Sequence, residues 1–262
     1  PCSFNSTISC FIFVATMFIF PMDTRIGLFK YLEDNLIKVG DIARQHDVRL
    51  SMHPGQFVVL ASDRPEVVER SIEEFEYHVD CIKFMGYGKE FQDFKCNVHI
   101  SGRQGPTGII NVLPRLSKEA RNVITIENDE NSWGIEDSLE LGKHLALVLD
   151  IHHHWVKSGE YIQPSDDRFK GVIDSWRGLR PAMHYSVSRL DYLIDHDVNT
   201  LPDKELLLEQ GYKKGKMRGH SDFMWNNAVN TWASTFNEFA DIMVESKAKN
   251  LASIKFFESF NN

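Results

Sequence analysis

The sequence predicts a TIM-type α/β barrel, (β/α)8, on three observations. The chain has 262 residues with 42% hydrophobic and 25% charged side chains. It contains short β-branched or apolar runs without strict alternation, and amphipathic helical stretches lie between them. The composition excludes a disordered, collagenous or coiled-coil chain. At roughly 150 residues per domain the length admits two domains, but α/β barrels fill it as one, so 1–262 reads as a single domain.

The elements follow in order. The first strand is expected at Phe11 to Ala15, inside the apolar stretch ISCFIFVATMFIF from Ile8 to Phe20. That stretch is shorter than the roughly 18 residues a membrane span needs. It also lacks the basic flank and small-residue cleavage site of a signal peptide, so it reads as a buried strand. A helix is predicted from about Leu28 to His46, with Leu28, Leu32, Leu36, Val39 and Ala43 on one face. A second begins at a Ser62-Asp63 cap with Pro65 in its first turn, carries Val68, Ile72, Phe75, Val79 and Ile82 as its stripe, and stops before Gly86. Further strands are expected at Val48 to Met52, Cys96 to Ile100, Val123 to Ile126, Leu145 to Leu149, Met183 to Tyr185 and Ile242 to Val244. That makes seven where a closed barrel has eight, so the first is expected to precede Pro1 or to leave a gap. The loosest region, about Leu190 to Met217, holds most of a basic cluster, Lys213, Lys214, Lys216 and Arg218.

Lys plus Arg number 29 against 37 Asp plus Glu, a net charge of −8. The surface as a whole does not advertise a nucleic-acid partner, although carboxylates gathered around cations would inflate the negative count. Cys2, Cys10, Cys81 and Cys96 form no CxxC pair, which argues against a zinc knuckle or disulfide framework and for a reducing, intracellular setting.

The chemistry is written at the strand ends. His53 follows RLSM, His99 follows CNV, Glu127 follows VITI, Asp150 follows LALVL, His184 follows AM and Glu245 follows DIMV. With only 37 Asp plus Glu and 11 His in the chain, chance seldom ends six of seven strands this way. In an α/β barrel these positions converge on the C-terminal mouth. His153 and His220 join them from loops. A single such histidine is usually a hydrogen-bonded core residue, but six converging strand ends outweigh that reading. Eight nitrogen and oxygen groups without a thiolate suit manganese or zinc, and are too many for one ion, so two or three divalent metals are expected. A carboxylate such as Glu127 can bridge two ions about 3.5 to 4 Å apart, the clamp used on phosphate esters, so phosphoester hydrolysis is the reaction class that fits.

The segment RLSMHPGQFVVL from Arg49 to Leu60, followed by PEVVERSIEEFEYH, resembles the ultraviolet-damage endonuclease family, as do ITIENDE, LVLDIHHH, HYSVSR, GHSDF and DIMVESKAK. The resemblance runs from about Phe18 to Ala248 in the family's order. It implies a barrel related to the endonuclease IV type that incises DNA on the 5′ side of photoproducts and other lesions. It implies a trinuclear site, usually described with Mn2+, with Zn2+, Co2+ or Mg2+ as alternatives. The ligands it implies are His53, His99, Glu127, Asp150, His153, His184, His220 and Glu245, the set that the strand ends select, with Glu127, His99 and Glu245 as catalytic members. Gln56 and Phe57 look like the family's pair that probes the duplex where a lesion leaves the stack. The implied partner is damaged double-stranded DNA, met by a monomer with no membrane role in a DNA-containing compartment. Lys213, Lys214, Lys216 and Arg218, just before His220, are candidates to hold flanking phosphates, as are Arg103 and Gln104.

The chain also departs from the pattern. The family commonly has a lysine, reported to carry a carboxylate modification near the metals, where this sequence has Ala182. It tends to have a histidine after its FP pair, where this chain reads Phe20-Pro21-Met22-Asp23. Two other readings follow: a barrel sugar isomerase or epimerase with a divalent-metal site, and a damage-binding homologue with reduced turnover.

Overall fold

The computed structural model describes the backbone of residues 10–13 and 22–261, and side chains from 32 to 259. Most of the apolar stretch from Ile8 to Phe20 and the side chains of Asp23 and Leu28 lie outside the described residues.

All seven expected runs form strands: β1 (Cys10–Phe13), β2 (Arg49–Met52), β3 (Lys95–His99), β4 (Ile124–Glu127), β5 (Ala146–Val148), β6 (Ala182–Tyr185) and β7 (Asp241–Val244). Strands β1 to β5 make one sheet in chain order, β6 and β7 pair separately, and every pairing is parallel. The His184 amide donates to the Leu149 carbonyl at 2.9 Å, joining β6 to the end of β5. β1 runs beside β7, which brings the two sheets round into a TIM-type α/β barrel.

Helices cover the outside: α1 (Met22–Gln45), α2 (Pro65–Phe84), α3 (Gly105–Val112), α4 (Lys118–Val123), α5 (Ile135–Ser138) and α6 (Ile151–Ser158). After them come α7 (Asp167–Ser175), α8 (Lys204–Glu209), α9 (Lys214–Met217), α10 (Asn227–Ser234) and α11 (Asn250–Asn261). α2 buries Val68, Phe75, Val79 and Ile82 as its stripe predicts. Its cap differs from expectation. The N-cap is Arg64, and Ser62 Oγ instead accepts from the Arg64 amide at 3.1 Å, while Asp63 pairs with Arg103 at 3.2 Å. Pro65 at the first helical position has already removed one of the amides a cap would satisfy. Gly86 takes φ +86°, the left-handed turn that ends the helix.

Within the barrel, alternate positions point inward. Thr125 and Glu127 face the interior, where Thr125 Oγ1 donates to Asn97 Oδ1 at 2.7 Å and Asn97 Nδ2 donates to Glu127 Oε2. Ile124 and Ile126 are fully buried in the main hydrophobic core. The N-terminal end is closed by ions: Asp241 at the start of β7 takes Arg49 at 2.9 Å and Arg180 at 2.7 Å, and Arg49 lies over the Trp176 ring. All the charge chemistry at the other end is thereby separated from the floor.

The predicted stripe of α1 is only partly right. Ala43 is buried and Leu36 packs against the core, but Val39 is exposed. The close approach to the end of α2 is made at Gly40, where a Cβ would stand 1.9 Å from the Met85 carbonyl oxygen. Gly40→Ala is therefore expected to destabilise the protein by about 2 kcal/mol, since backbone must move to admit the methyl. A thermal or denaturant melt equal to the parent's would contradict that close approach.

Candidate functional site

Parallel pairing delivers the strand-end residues to one level. The register sets His99 opposite Glu127, and Asp150 bridges to His184. At the centre lies Glu127, with no solvent exposure. His53 Nε2 stands 3.3 Å and His99 Nδ1 4.0 Å from its Oε2, while His184 Nδ1 stands 3.1 Å and His153 Nδ1 3.4 Å from its Oε1. Glu245 Oε1 is 3.0 Å from His184 Nδ1, and its Oε2 is 3.9 Å from His220 Nδ1. The structure thus brings seven of the eight sequence-selected groups into ligating reach, and His220 stands beside them, near Glu245. Three overlapping sets come within metal-ligating reach, namely His53/Glu127/His184, His99/Glu127/His153 and Glu127/Asp150/His184/Glu245.

Local structure explains the placement. Asp150 is the N-cap of α6, its Oδ1 accepting from the His153 amide at 2.7 Å, so its Oδ2 is left to face the cluster. Asn128 locks that corner, accepting from the Asp150 amide at 2.8 Å and donating to the Asp150 carbonyl at 3.0 Å. His53 Nδ1 donates to the Pro54 carbonyl at 2.9 Å, which leaves the Nε2 lone pair directed at Glu127. Lys95 Nζ sits 2.7 Å from His184 Nε2, from the far side of the barrel.

Lys95, Asn97, Asn128 and Glu130 were not selected from sequence. A signal for two of them existed: Lys95 and Asn97 share the alternation of His99 and are polar in an otherwise buried strand.

Burial pushes the Glu127 carboxyl up, but His184 and His99 overcome it and hold it well below the ordinary value. Burial raises Asp150, with Glu127 and Glu245 adding to the effect. Burial opposes charge on His153 and His184, yet the surrounding carboxylates, Asp150 and Glu127 first for one and Glu127 for the other, raise them to about 10 and about 9.

These groups fit a divalent cation. Glu127 Oε1, Asp150 Oδ2 and His184 Nδ1 are buried without a hydrogen-bond partner, an arrangement that costs on the order of 1–3 kcal/mol per atom unless something engages them. Carboxylate and imidazole donors are the set that holds manganese, zinc or cobalt.

Around this centre, Gln56 is exposed and Phe57 is 77% exposed, on the loop that follows His53. A core role for Phe57 is excluded. Clefts of about 280 Å³ and about 200 Å³ adjoin on either side of this loop, both lined by Pro54, Gly55 and Gln56, and a third of about 490 Å³ continues from Lys247 past Phe223 and Trp225. Lys213 and Lys216 are exposed and Lys214 half-buried. Arg218 differs from them, because its Nη1 donates to the buried Glu130 at 2.9 Å. Arg103 and Gln104 are exposed, the former paired with Asp63.

A family model described as UV-endonuclease UvdE matches residues 7–262. The UV DNA damage endonuclease of Halalkalibacterium halodurans is 35% identical over 155 residues, which are 56% of this chain and 44% of that protein. The chain spans about half the length of the curated relatives it matches. The crystal structure of SacUVDE superposes with a TM-score of 0.69 at 25% identity, covering 94% of this chain and 75% of that one. Endonuclease IV from Thermus thermophilus gives 0.58 at 12% identity, covering 87% and 80%, a likeness of fold.

The raised histidines give the site a pH signature. Their folded values lie above the ordinary 6.5, so their ion pairs stabilise the metal-free protein fully below that pH, and the contribution is lost as pH rises through about 9 to 10. A cation needs the neutral ring, so Mn2+ binding at pH 7 is expected to release on the order of two protons per chain and to tighten as pH rises. Calorimetry in buffers of different ionisation enthalpy reads this directly, and identical heats would refute it.

Proposed function

The chain belongs to the UV-endonuclease UvdE family, and from that premise we propose that it is a divalent-metal-dependent DNA repair endonuclease. It nicks the damaged strand on the 5′ side of ultraviolet photoproducts and other lesions by phosphodiester hydrolysis. Its partner is damaged double-stranded DNA, met as a monomer in a DNA-containing compartment inside the cell. Among the described residues no helix is long and apolar enough to cross a membrane.

The observation that carries this reading is Phe57, a planar apolar side chain left 77% exposed on the loop that carries His53. Exposing a phenyl ring forgoes about 1.5–3 kcal/mol of burial, which makes sense where the ring enters an apolar stack. Gln56 and Phe57 fill the gap left when a damaged dinucleotide unstacks, a smaller cost for a lesion than for intact duplex. Adjoining clefts on both sides of this loop suit a polymer crossing the mouth, whereas a small sugar is held best in one enclosed pocket.

His53, His99, Glu127, Asp150, His153, His184, His220 and Glu245 hold the ions, of which Mn2+ is the favoured identity. Divalent cations held by these residues would lower the pKa of a nearby water and offset charge on the scissile phosphate. Glu127, His99 and Glu245 act at the reacting phosphate. Asn97 and Asn128 hold Glu127 and Asp150 in orientation, so little is reorganised during the reaction. Lys213, Lys214 and Lys216 hold the flanking backbone.

A single-turnover assay with Mn2+ on a duplex bearing one cyclobutane dimer tests the chemistry. The expected result is a cut on the 5′ side of the dimer, absent from undamaged duplex, lost in Glu127→Gln and reduced at least tenfold in Phe57→Ala. Selective binding without any cut would favour the damage-binding alternative, and a Phe57→Ala variant as active as the parent would remove the probing role. Replacing Lys213, Lys214 and Lys216 with Ser is expected to lower the salt dependence of DNA affinity by about 0.9 for each phosphate the variant no longer neutralises. An unchanged slope over a salt titration would show that the cluster meets no phosphate.

A further inference from the structure

The hydrogen bonding of His153 decides which of its nitrogens is open to a ligand. His153 Nδ1 lies 3.1 Å from the carbonyl oxygen of Asn128. A carbonyl only accepts, so Nδ1 carries the hydrogen and the ring's available lone pair is on Nε2. Nδ1 is also the nitrogen nearest Glu127 and Asp150, at 3.4 Å and 3.9 Å. The open nitrogen therefore faces away from those two carboxylates. It faces Glu130, whose Oε2 is 4.0 Å from Nε2. Two ligands of one ion, each about 2.1 Å from it, stand about 3 to 4 Å apart, and this pair meets that spacing.

Glu130 has the properties of a held ligand. It is 7% exposed, in the loop just past β4. Its Oε1 accepts from Arg218 Nη1 at 2.9 Å and from Asn131 Nδ2 at 2.8 Å, so the carboxylate cannot rotate freely and Oε2 is the oxygen presented to His153. The His220 ring, two residues beyond Arg218, lies 6.3 Å from that of His153 between centroids, on the flank of the pair. Glu130 also lines a cleft with Gln56, His99 and Arg218, so an ion held by it would stand on the route into the mouth.

We infer that Glu130 is a ninth metal ligand, holding an outer divalent ion with His153 Nε2 and His220, and that Arg218 positions Glu130 for it. This rests on the reading of the mouth as a metal centre. It gives Arg218 a different task from the neighbouring lysines, since its guanidinium is committed to a ligand before any phosphate arrives.

The test counts ions and does not depend on nicking. Metal-free parent, Glu130→Gln and Glu127→Gln are reloaded with Mn2+ at a fixed free concentration and weighed by native mass spectrometry. Glu130→Gln is expected to hold about one ion fewer than the parent and to keep the inner set, whereas Glu127→Gln loses inner ions. Melting in a chelator reports whether each variant folds. If Glu130→Gln does not fold, crystals of the parent soaked in Mn2+ settle the matter, with an anomalous peak expected between Glu130 and His153. A parent that loads Mn2+ with no peak touching Glu130, or a folded Glu130→Gln with the parent's ion count, overturns the inference and leaves the metal centre standing. A parent that binds no Mn2+ overturns both.

Discussion

A fully buried carboxylate is stable only where positive charge surrounds it, and Glu127 sets that condition for the rest of the mouth. Its four imidazole neighbours reach it from the end of β2 and from β3, β6 and α6, within 3.1 to 4.0 Å. Against the opposition of burial the carboxylates raise His153 and His184, whereas burial lowers His99. Desolvating one ion costs several kcal/mol after relaxation, so no element carrying a partner can move away without leaving that cost unmet. The parallel barrel is the architecture that satisfies the demand, because it ends every strand at the same level and points alternate residues inward. The glutamate at the end of β4 is thus both a chemical group and the point on which the ring of strands is centred.

The polar ladder beneath it serves the same end. Thr125, Asn97 and Glu127 form a chain of hydrogen bonds inside the barrel, in which the hydroxyl fixes the amide and the amide fixes the carboxylate. From the same strand as Asn97, Lys95 reaches across to His184. Below that level the interior becomes apolar around Ala146, Val148, Trp176, Ala182 and Met243, and the floor closes on the Arg49, Arg180 and Asp241 ion pairs. Ala182 stands in this apolar layer, 2% exposed, and brings no charge to it.

The strands were legible because burial on both faces leaves apolar continuity, and the site was legible because Asp, Glu and His at successive strand ends can converge only in a closed parallel sheet. The remainder turned on contacts that no periodicity encodes. Arg218 reads as one of a basic cluster, yet its partner Glu130 is 88 residues away and lies in a loop. Asn97 and Asn128 carry no metal-ligating signature, because their amides only hold the neighbouring carboxylate and backbone in place. In α1 the apolar spacing pointed to Val39, whereas the close approach is made by Gly40, whose missing side chain is invisible to a hydrophobic pattern. Ser62 looked like a helix cap and instead tightens the turn one step earlier, since Pro65 had changed what the helix start required.

The net charge of −8 and the proposed affinity for DNA are compatible once charge is considered locally. Without cations the mouth presents Glu127, Asp150, Glu245 and Glu130, and a phosphate entering a site of low dielectric beside four carboxylates meets repulsion of several kcal/mol. Raised histidines offset part of this, and divalent ions offset more while displacing the histidine protons. In the proposed enzyme, the acidic groups that make the whole surface unattractive to a polyanion are therefore the ones that would concentrate cations where a backbone must be held. The basic residues of the rim are spared that work. Lys213, Lys216 and Arg218 are all exposed, and of these Arg218 is tied by one nitrogen to the buried Glu130. For the proposed enzyme, the electrostatics of the mouth favour metal binding before nucleic acid, with no conformational switch required.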